Sequence, residues 1–171
     1  MFDGDASGNY KAYGEEGTVT TTYEYALDGL YVGDMPQQGL VLGGTVTPMP
    51  GMKVQALFNW YNRNFADWSP GDREMEDGSG DRYQVWEAPS YSKLDIHAYF
   101  DIPSTFDLGG STVTMQAFVH VFNALDAIFV QDAVDNSQYN SWGGTGDHDA
   151  DNAEVFLGHP RYFNVGLTFR F

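Results

Sequence analysis

The chain contains no cysteine in its 171 residues. A disulfide framework and a thiolate metal centre are therefore excluded, and the redox state of its compartment is left open. Cations are scarce as well: 8 Lys and Arg stand against 24 Asp and Glu, for a formal net charge of -16. A charge of that sign repels phosphate backbones, so no nucleic-acid partner is expected. Long apolar runs are also missing. No stretch reaches the roughly 18 apolar residues of a spanning helix, but a barrel strand needs only about 9 to 11 alternating residues and is untouched by that absence. The opening MFDGDASGNY has neither a basic region nor an apolar stretch. It does not read as a signal peptide, so either the chain is a fragment or its export signal lies elsewhere.

Aromatics, at 16%, and 20 glycines are what the chain has in plenty. The first favour a pleated surface and the second punctuate turns, which together point to an all-β fold. Period-two alternation is unbroken at the end of the chain, where Phe163, Val165, Leu167, Phe169 and Phe171 take one face and Tyr162, Asn164, Thr168 and Arg170 the other. Between Lys93 and Ile102 the even positions from Leu94 are apolar, while Lys93, Asp95, His97, Tyr99 and Asp101 are not. Val113, Met115, Ala117, Val119 and Val121 repeat the pattern, as do Met52, Val54, Ala56, Phe58 and Trp60. Weaker strands are read around Leu40 to Val46 and Val19 to Leu27, and residues 1 to 13 hold the tail of a seventh. The expectation is an antiparallel meander centred near residues 23, 42, 57, 97, 117 and 167, each strand paired to its sequence neighbour.

The connections alternate in length. Gly14 to Gly17, Pro48-Met49-Pro50-Gly51 and Pro103 to Gly110 are short; Asp28 to Gln37, Phe65 to Ser90 and Asp126 to Pro160 are longer. Tight turns at one end and long loops at the other are the bacterial outer-membrane pattern. A soluble sandwich also has one apolar face, but its strands usually run about 5 to 6 residues, shorter than those read here. With the C-terminus on the periplasmic side, Tyr25, Trp60, Tyr91 and Phe163 fall near the outer interface and Phe100, Phe169 and Phe171 near the inner one, as two aromatic girdles would.

Four stretches carry a family resemblance. They are Gly29-Leu30-Tyr31-Val32-Gly33-Asp34-Met35-Pro36-Gln37, Tyr61-Asn62-Arg63-Asn64-Phe65-Ala66-Asp67-Trp68, Val121-Phe122-Asn123-Ala124-Leu125-Asp126 with Asp132-Ala133-Val134-Asp135-Asn136, and Val155-Phe156-Leu157-Gly158-His159-Pro160-Arg161 through Phe171. In this order they resemble the late strands of TonB-dependent receptors, especially the SusC-like branch. The resemblance implies that residues 1-171 are the C-terminal part of a transmembrane β-barrel, with the plug domain and remaining strands absent. Six or seven strands cannot close the family's barrel of about 22. It further implies a bacterial outer-membrane location, import of a bulky solute (glycan, peptide or metal chelate), and a non-enzymatic role without cofactor. The implied partners are outer-membrane lipid, the barrel-assembly machinery, the TonB complex through the missing plug region, and a lipoprotein lid. Phe163, Val165, Leu167, Phe169 and Phe171 resemble the C-terminal signal by which that machinery recognises its clients.

Other candidates are weighed against plainer readings. Trp68, Tyr139 and Trp142 in the long loops could stack on a sugar or another flat ligand, but exposed aromatics also serve loop packing. Asp147, His148, Asp149, Asp151 and Glu154 echo an EF-hand opening, yet Asn152 stands where that loop needs glycine and Gly158 where it needs glutamate; a solvated acidic loop is the better reading, and no metal site is assigned. A hairpin centred near Phe106 puts His120 opposite Lys93 and His97 opposite Gln116, so the two histidines are not expected to meet. No nucleophile, base and orienter set stands out, so no catalytic residue is assigned. Two alternatives stay open: a porin or adhesin barrel without TonB coupling, and a secreted β-sandwich that binds carbohydrate.

Overall fold

The computed structural model describes residues 4, 6–14, 17–25, 27–68, 84–135 and 148–171. Every regular element among them is a strand: β1 (Ala6–Gly14), β2 (Gly17–Tyr25), β3 (Pro36–Val46), β4 (Met52–Phe65), β5 (Glu87–Ala88), β6 (Tyr91–Leu108), β7 (Ser111–Phe122), β8 (Val130–Asp135), β9 (Ala153–Leu157) and β10 (Tyr162–Arg170). The chain is all-β, as its period-two pattern predicts. It divides into two compact units. One comprises residues 1–37, 63–89 and 130–156, and the other 38–62, 90–129 and 157–171.

The second unit is built on the main sheet, in the order β10-β7-β6-β4-β3. This is the expected antiparallel meander, and β10 and β3 are its edges, so the sheet is not closed. Direct cross-strand partners project to one face, which lets the ladder assign the faces. Leu94, Ile96, Ala98 and Phe100 of β6 sit opposite Phe58, Ala56, Val54 and Met52 of β4. Ile96, Ala98, Phe100 and Ile102 also sit opposite Val121, Val119, Ala117 and Met115 of β7, and those four face Phe163, Val165, Leu167 and Phe169 of β10. The apolar sets of four strands therefore share one face, as the alternation requires. β3 joins them: a side chain added at Gly43 would meet Leu57 and one at Gly39 would meet Tyr61, which puts the odd residues of β3 on the other face and leaves Leu40, Leu42 and Val46 on the apolar one.

Two tight turns join these strands at one end. Gly51 adopts φ 79, and Gly109 and Gly110 adopt φ 59 and 88, a left-handed pair that suits a two-residue hairpin between twisted strands. The short link expected from Pro103 is thus a continuation of β6, an 18-residue strand. Pro103 has no N–H for the ladder, and pairing is interrupted there: Ile102 faces Met115 and the next pair is Phe106 with Val113. Four residues of β6 advance against two of β7, so the pairing beyond the bulge is set by the turn at Gly109 and Gly110 and by the bulge together, and differs from that of a hairpin centred at Phe106.

Three other expectations are corrected. The strand centred near residue 23, β2, pairs with β1 from Ala6↔Tyr25 to Gly14↔Gly17, and the two form a separate two-stranded sheet in place of a pairing with β3. Tyr91 is the partner of Tyr61 and so lies on the face opposite Trp60; it stacks on Phe129, with centroids 4.3 Å apart, and is no part of a girdle. The long links also carry structure, since β5 lies in the first and β8 pairs with β9 in the second.

These link segments make up most of the other unit, and most of the buried apolar residues are there: Leu30, Phe65, Ala66, Val85, Ala88 and Ala133. Three alanines among six explain how the backbones approach closely enough to bond. Ala66 N–H donates to Trp86 O at 2.9 Å, Asp67 N–H to Ala133 O at 2.7 Å, and Asp135 N–H to Asp67 O at 2.7 Å. Tyr31 stacks on Phe65 with centroids 4.4 Å apart, and the Arg63 guanidinium lies 4.4 Å above the Tyr31 ring. Arg63 takes φ 56, a costly conformation for a non-glycine residue. Its contact with Tyr31, including the hydrogen bond to the phenol oxygen, holds it there.

Candidate functional site

The apolar face is the first feature with functional content, because most of its large side chains are exposed or only half-buried. On β10, Phe163, Val165 and Leu167 are 65%, 68% and 55% exposed, and the terminal Phe171 is 80% exposed. Leu40, Leu42, Val46, Phe100 and Val119 on the neighbouring strands are exposed as well. Full burial of one such side chain is worth about 1.5–3 kcal/mol, so the uncovered face forgoes on the order of 10 kcal/mol in water. Of the residues expected to serve as an assembly signal, Phe163, Val165, Leu167 and Phe169 are thus on the open edge strand and on the apolar face, and Phe171 follows directly after it.

The opposite face mixes polar groups and rings, and its contacts run from strand to strand. Gln116 Nε2 donates to Asp101 Oδ1 at 2.7 Å, and Arg170 donates to Gln116 Oε1 at 3.3 Å. An open depression of about 770 Å³ over this part of the sheet is lined by Lys53, Gln55, Tyr99, Asp101 and Gln116, together with the turn from Thr47 to Met52. Further along, His97 and His120 are direct cross-strand partners, with their Nδ1 atoms 2.8 Å apart. This overturns the expectation that the two do not meet; the turn at Gly109 and Gly110, further along the chain than Phe106, is the main reason, and the bulge after Ile102 sets the final register. Gly166 makes room for the neighbouring Phe118, whose ring would lie 2.5 Å from a Cβ at that position.

Where β7 ends, two of the family-like stretches are joined by specific bonds. Asn123 takes φ 49, a conformation that asparagine tolerates better than most residues. Its N–H donates to Asp95 Oδ1 at 2.9 Å, its Nδ2 to Ala127 O and His159 O at 2.9 and 3.1 Å, and its Oδ1 accepts from Ala127 N–H at 3.0 Å. Asp126 accepts from Arg161 N–H at 2.9 Å. Gly158 N–H donates to Phe129 O at 2.9 Å at a position where any Cβ would overlap the Phe129 ring. Asn123, Asp126, Gly158 and Arg161 are thus the fasteners that deliver the chain from β7 into β10.

In the link unit, Asp135 is buried at 2% exposure. Its Oδ2 accepts from Trp86 N–H at 3.4 Å and meets His148 Nδ1 at 2.6 Å. The acidic segment after His148 is occupied with its own turn, since Asp149 Oδ1 accepts from the N–H groups of Asp151 and Asn152 at 3.0 and 3.2 Å. Partial burial pushes the Asp34 carboxyl above the usual carboxylate range, helped by a hydrogen bond with Asp132 and the negative charges of Asp67 and Asp132. Among the described residues no group of three or more His, Asp or Glu is arranged to hold a metal ion. Of the three aromatics weighed for ligand stacking, Trp68 is half-buried beside the Asp67↔Val134 bridge, while Tyr139 and Trp142 lie outside the described residues, as does Asp147.

No protein family, curated protein or solved structure matches this chain.

Proposed function

We propose that this chain forms part of the wall and outer loops of a bacterial outer-membrane β-barrel, in a TonB-dependent transporter that imports a bulky solute. The observation that carries the reading is the uncovered apolar face shared by five adjacent strands, opposite a polar face with an open depression. A soluble monomer rarely exposes a contiguous apolar patch beyond a few hundred Å², whereas lipid covers such a face without cost. Tight turns at one end of the sheet and the long β4–β6 and β7–β10 links at the other fit a periplasmic and an extracellular side. TonB coupling, a plug and a lipoprotein lid enter through the family-like stretches alone.

In lipid, an unpaired strand edge costs several kcal/mol per backbone group. The reading therefore sets further strands, or the barrel-assembly machinery, against the edges β10 and β3. The exposed Phe171 and the alternating residues before it are what that machinery would grip, with strand pairing to the edge and an aromatic in a pocket.

The absence of cysteine gives a direct test. A polarity-sensitive probe is attached to Leu167→Cys or to Thr168→Cys, and the chain is inserted into lipid bilayers. Residue 167 is expected to report hydrocarbon and residue 168 a polar surround. Water-like spectra at both positions, from a chain that stays monodisperse without detergent, would favour a soluble β-sheet module and end the membrane reading.

A further inference from the structure

We propose that His97 and His120 form a binding site for a divalent transition-metal ion, copper(II) before others, on the polar face of the sheet. The inference goes beyond the transport reading and does not depend on it, because it rests on two side chains and the ladder that aligns them.

The two residues are directly opposed on β6 and β7, and their Nδ1 atoms are 2.8 Å apart with the rings inclined at 64°. That distance is a hydrogen bond, in which one Nδ1 carries the proton and the other offers its lone pair. A metal ion takes the place of that bridging proton. The imidazole that was Nδ1–H becomes the Nε2–H tautomer by exchange with solvent, both Nδ1 lone pairs turn to the ion, and no net proton is lost.

The spacing selects the geometry. Metal–imidazole bonds are about 2.0–2.1 Å, so two of them at a right angle set the nitrogens about 2.9 Å apart, whereas a tetrahedral angle needs roughly 3.4 Å. The observed 2.8 Å is close to the spacing of a square-planar or tetragonal pair, the preference of copper(II) and nickel(II), so those ions need only a turn of the rings, and zinc would also have to spread them. Two imidazole nitrogens without a set of carboxylate or carbonyl oxygens also disfavour calcium and magnesium, which take oxygen ligands.

The surroundings make the pair stiff and leave it room. Tyr99 and Phe122 stand edge-on to the histidine rings and Phe118 leans on His120, which restrains the rotamers. Across the sheet the row continues to Gln55 beside His97 and Asn164 beside His120, whose amides can reach water or solute in the remaining coordination positions. The charged residues on this face of the same strands are Lys53, Lys93, Asp95, Asp101, Asp107 and Arg170. Asp95 is bonded to Asn123 and Lys93, Asp101 to Gln116 and Asp107 to Thr112, so none of the three acids supplies a free competing ligand.

The test uses the full chain in detergent micelles, titrated with copper(II) alone and followed by electron paramagnetic resonance. One tetragonal ion with coupling to two imidazole nitrogens is expected, with a count confirmed by ¹⁵N-histidine labelling. His97→Gln and His120→Gln should each weaken binding at least about tenfold, the scale on which metal-site residues act. His148→Gln and His159→Gln should leave it unchanged. Circular dichroism on every variant distinguishes a lost ligand from a lost fold, and if the variants unfold the labelled wild-type spectrum decides. A wild-type spectrum with fewer than two coupled imidazoles, or undiminished binding in the His97→Gln/His120→Gln double variant, would overturn the proposal.

Discussion

Replacing Gly33 by alanine is the sharpest single perturbation of the link unit. A Cβ there would stand 2.7 Å from Ala66 O, 2.7 Å from Asp67 Cα and 2.9 Å from Asp67 N, where ordinary contact begins at 3.4 Å. All three atoms are backbone, so no rotamer change relieves the overlap. The backbone cannot retreat cheaply, because it is held by the bonds from Ala66 to Trp86, from Asp67 to Ala133 and from Asp135 to Asp67. Gly33 is not in the left-handed region, so the penalty is contact and not torsion. Overpacking of this kind costs about 1–3 kcal/mol, and a rigid neighbour places it near the top of that range. Alanine also restricts the unfolded chain, which returns about 0.4–1 kcal/mol. The net expectation is a loss of about 2 kcal/mol, or roughly a thirtyfold rise in opening of this unit.

Amide hydrogen exchange reads that opening residue by residue. The Asp34, Asp67 and Asp135 amides, whose acceptors are Phe65, Ala133 and Asp67, should lose protection in Gly33→Ala. Gly44→Ala is the matched control, since nothing lies within 4 Å of a Cβ at that position; it should leave the same amides unchanged. Protection in Gly33→Ala equal to that of the control would show that the 33 and 66–67 segments are not packed as described.

Two further outcomes follow from other features. The raised Asp34 carboxyl holds its proton longer in the folded chain than in the unfolded one, so its contribution to stability is fully present below the unfolded value of about 3.9 and is lost as pH rises through the folded value. Asp34→Asn should flatten that loss in denaturant titrations between acid and neutral pH, and an unaltered pH profile would count against the Asp34–Asp132 contact. Phe171→Ala, placed in a complete receptor of this kind, should lower the amount inserted in the outer membrane while uptake per inserted molecule holds. Full insertion with lost uptake would put Phe171 in the transport path instead.

Much of the sheet was legible because one number, the period of two, fixes which face a residue takes. Phe163, Val165 and Leu167 needed no knowledge of their neighbours to be set on one side. The link unit was not legible. Asp135 with His148 and Asp67 with Val134 are partners across irregular segments, where no repeat announces who meets whom. Asn123 and Gly158 did leave a trace, since an asparagine or glycine directly after an alternating run marks a place where the backbone leaves the strand, but their acceptors Ala127, His159 and Phe129 lie in stretches without pattern.

The histidine pair shows why faces survive an error that neighbours do not. A turn centred at Phe106 sets His120 opposite Lys93, and the ladder sets it opposite His97, four residues further along β6. Four is even, so every residue of β7 keeps its face while each acquires a different partner; a slip of one would have turned the apolar set inside out. The cause is local and physical: two left-handed glycines at 109 and 110 set the turn further along and so lengthen β6, and the bulge at Pro103, a residue without an N–H, takes back part of that shift. Alternation therefore carries the two-faced sheet and the membrane reading that rests on it. The convergence of two imidazoles depends on counting through that bulge, which only the coordinates supply.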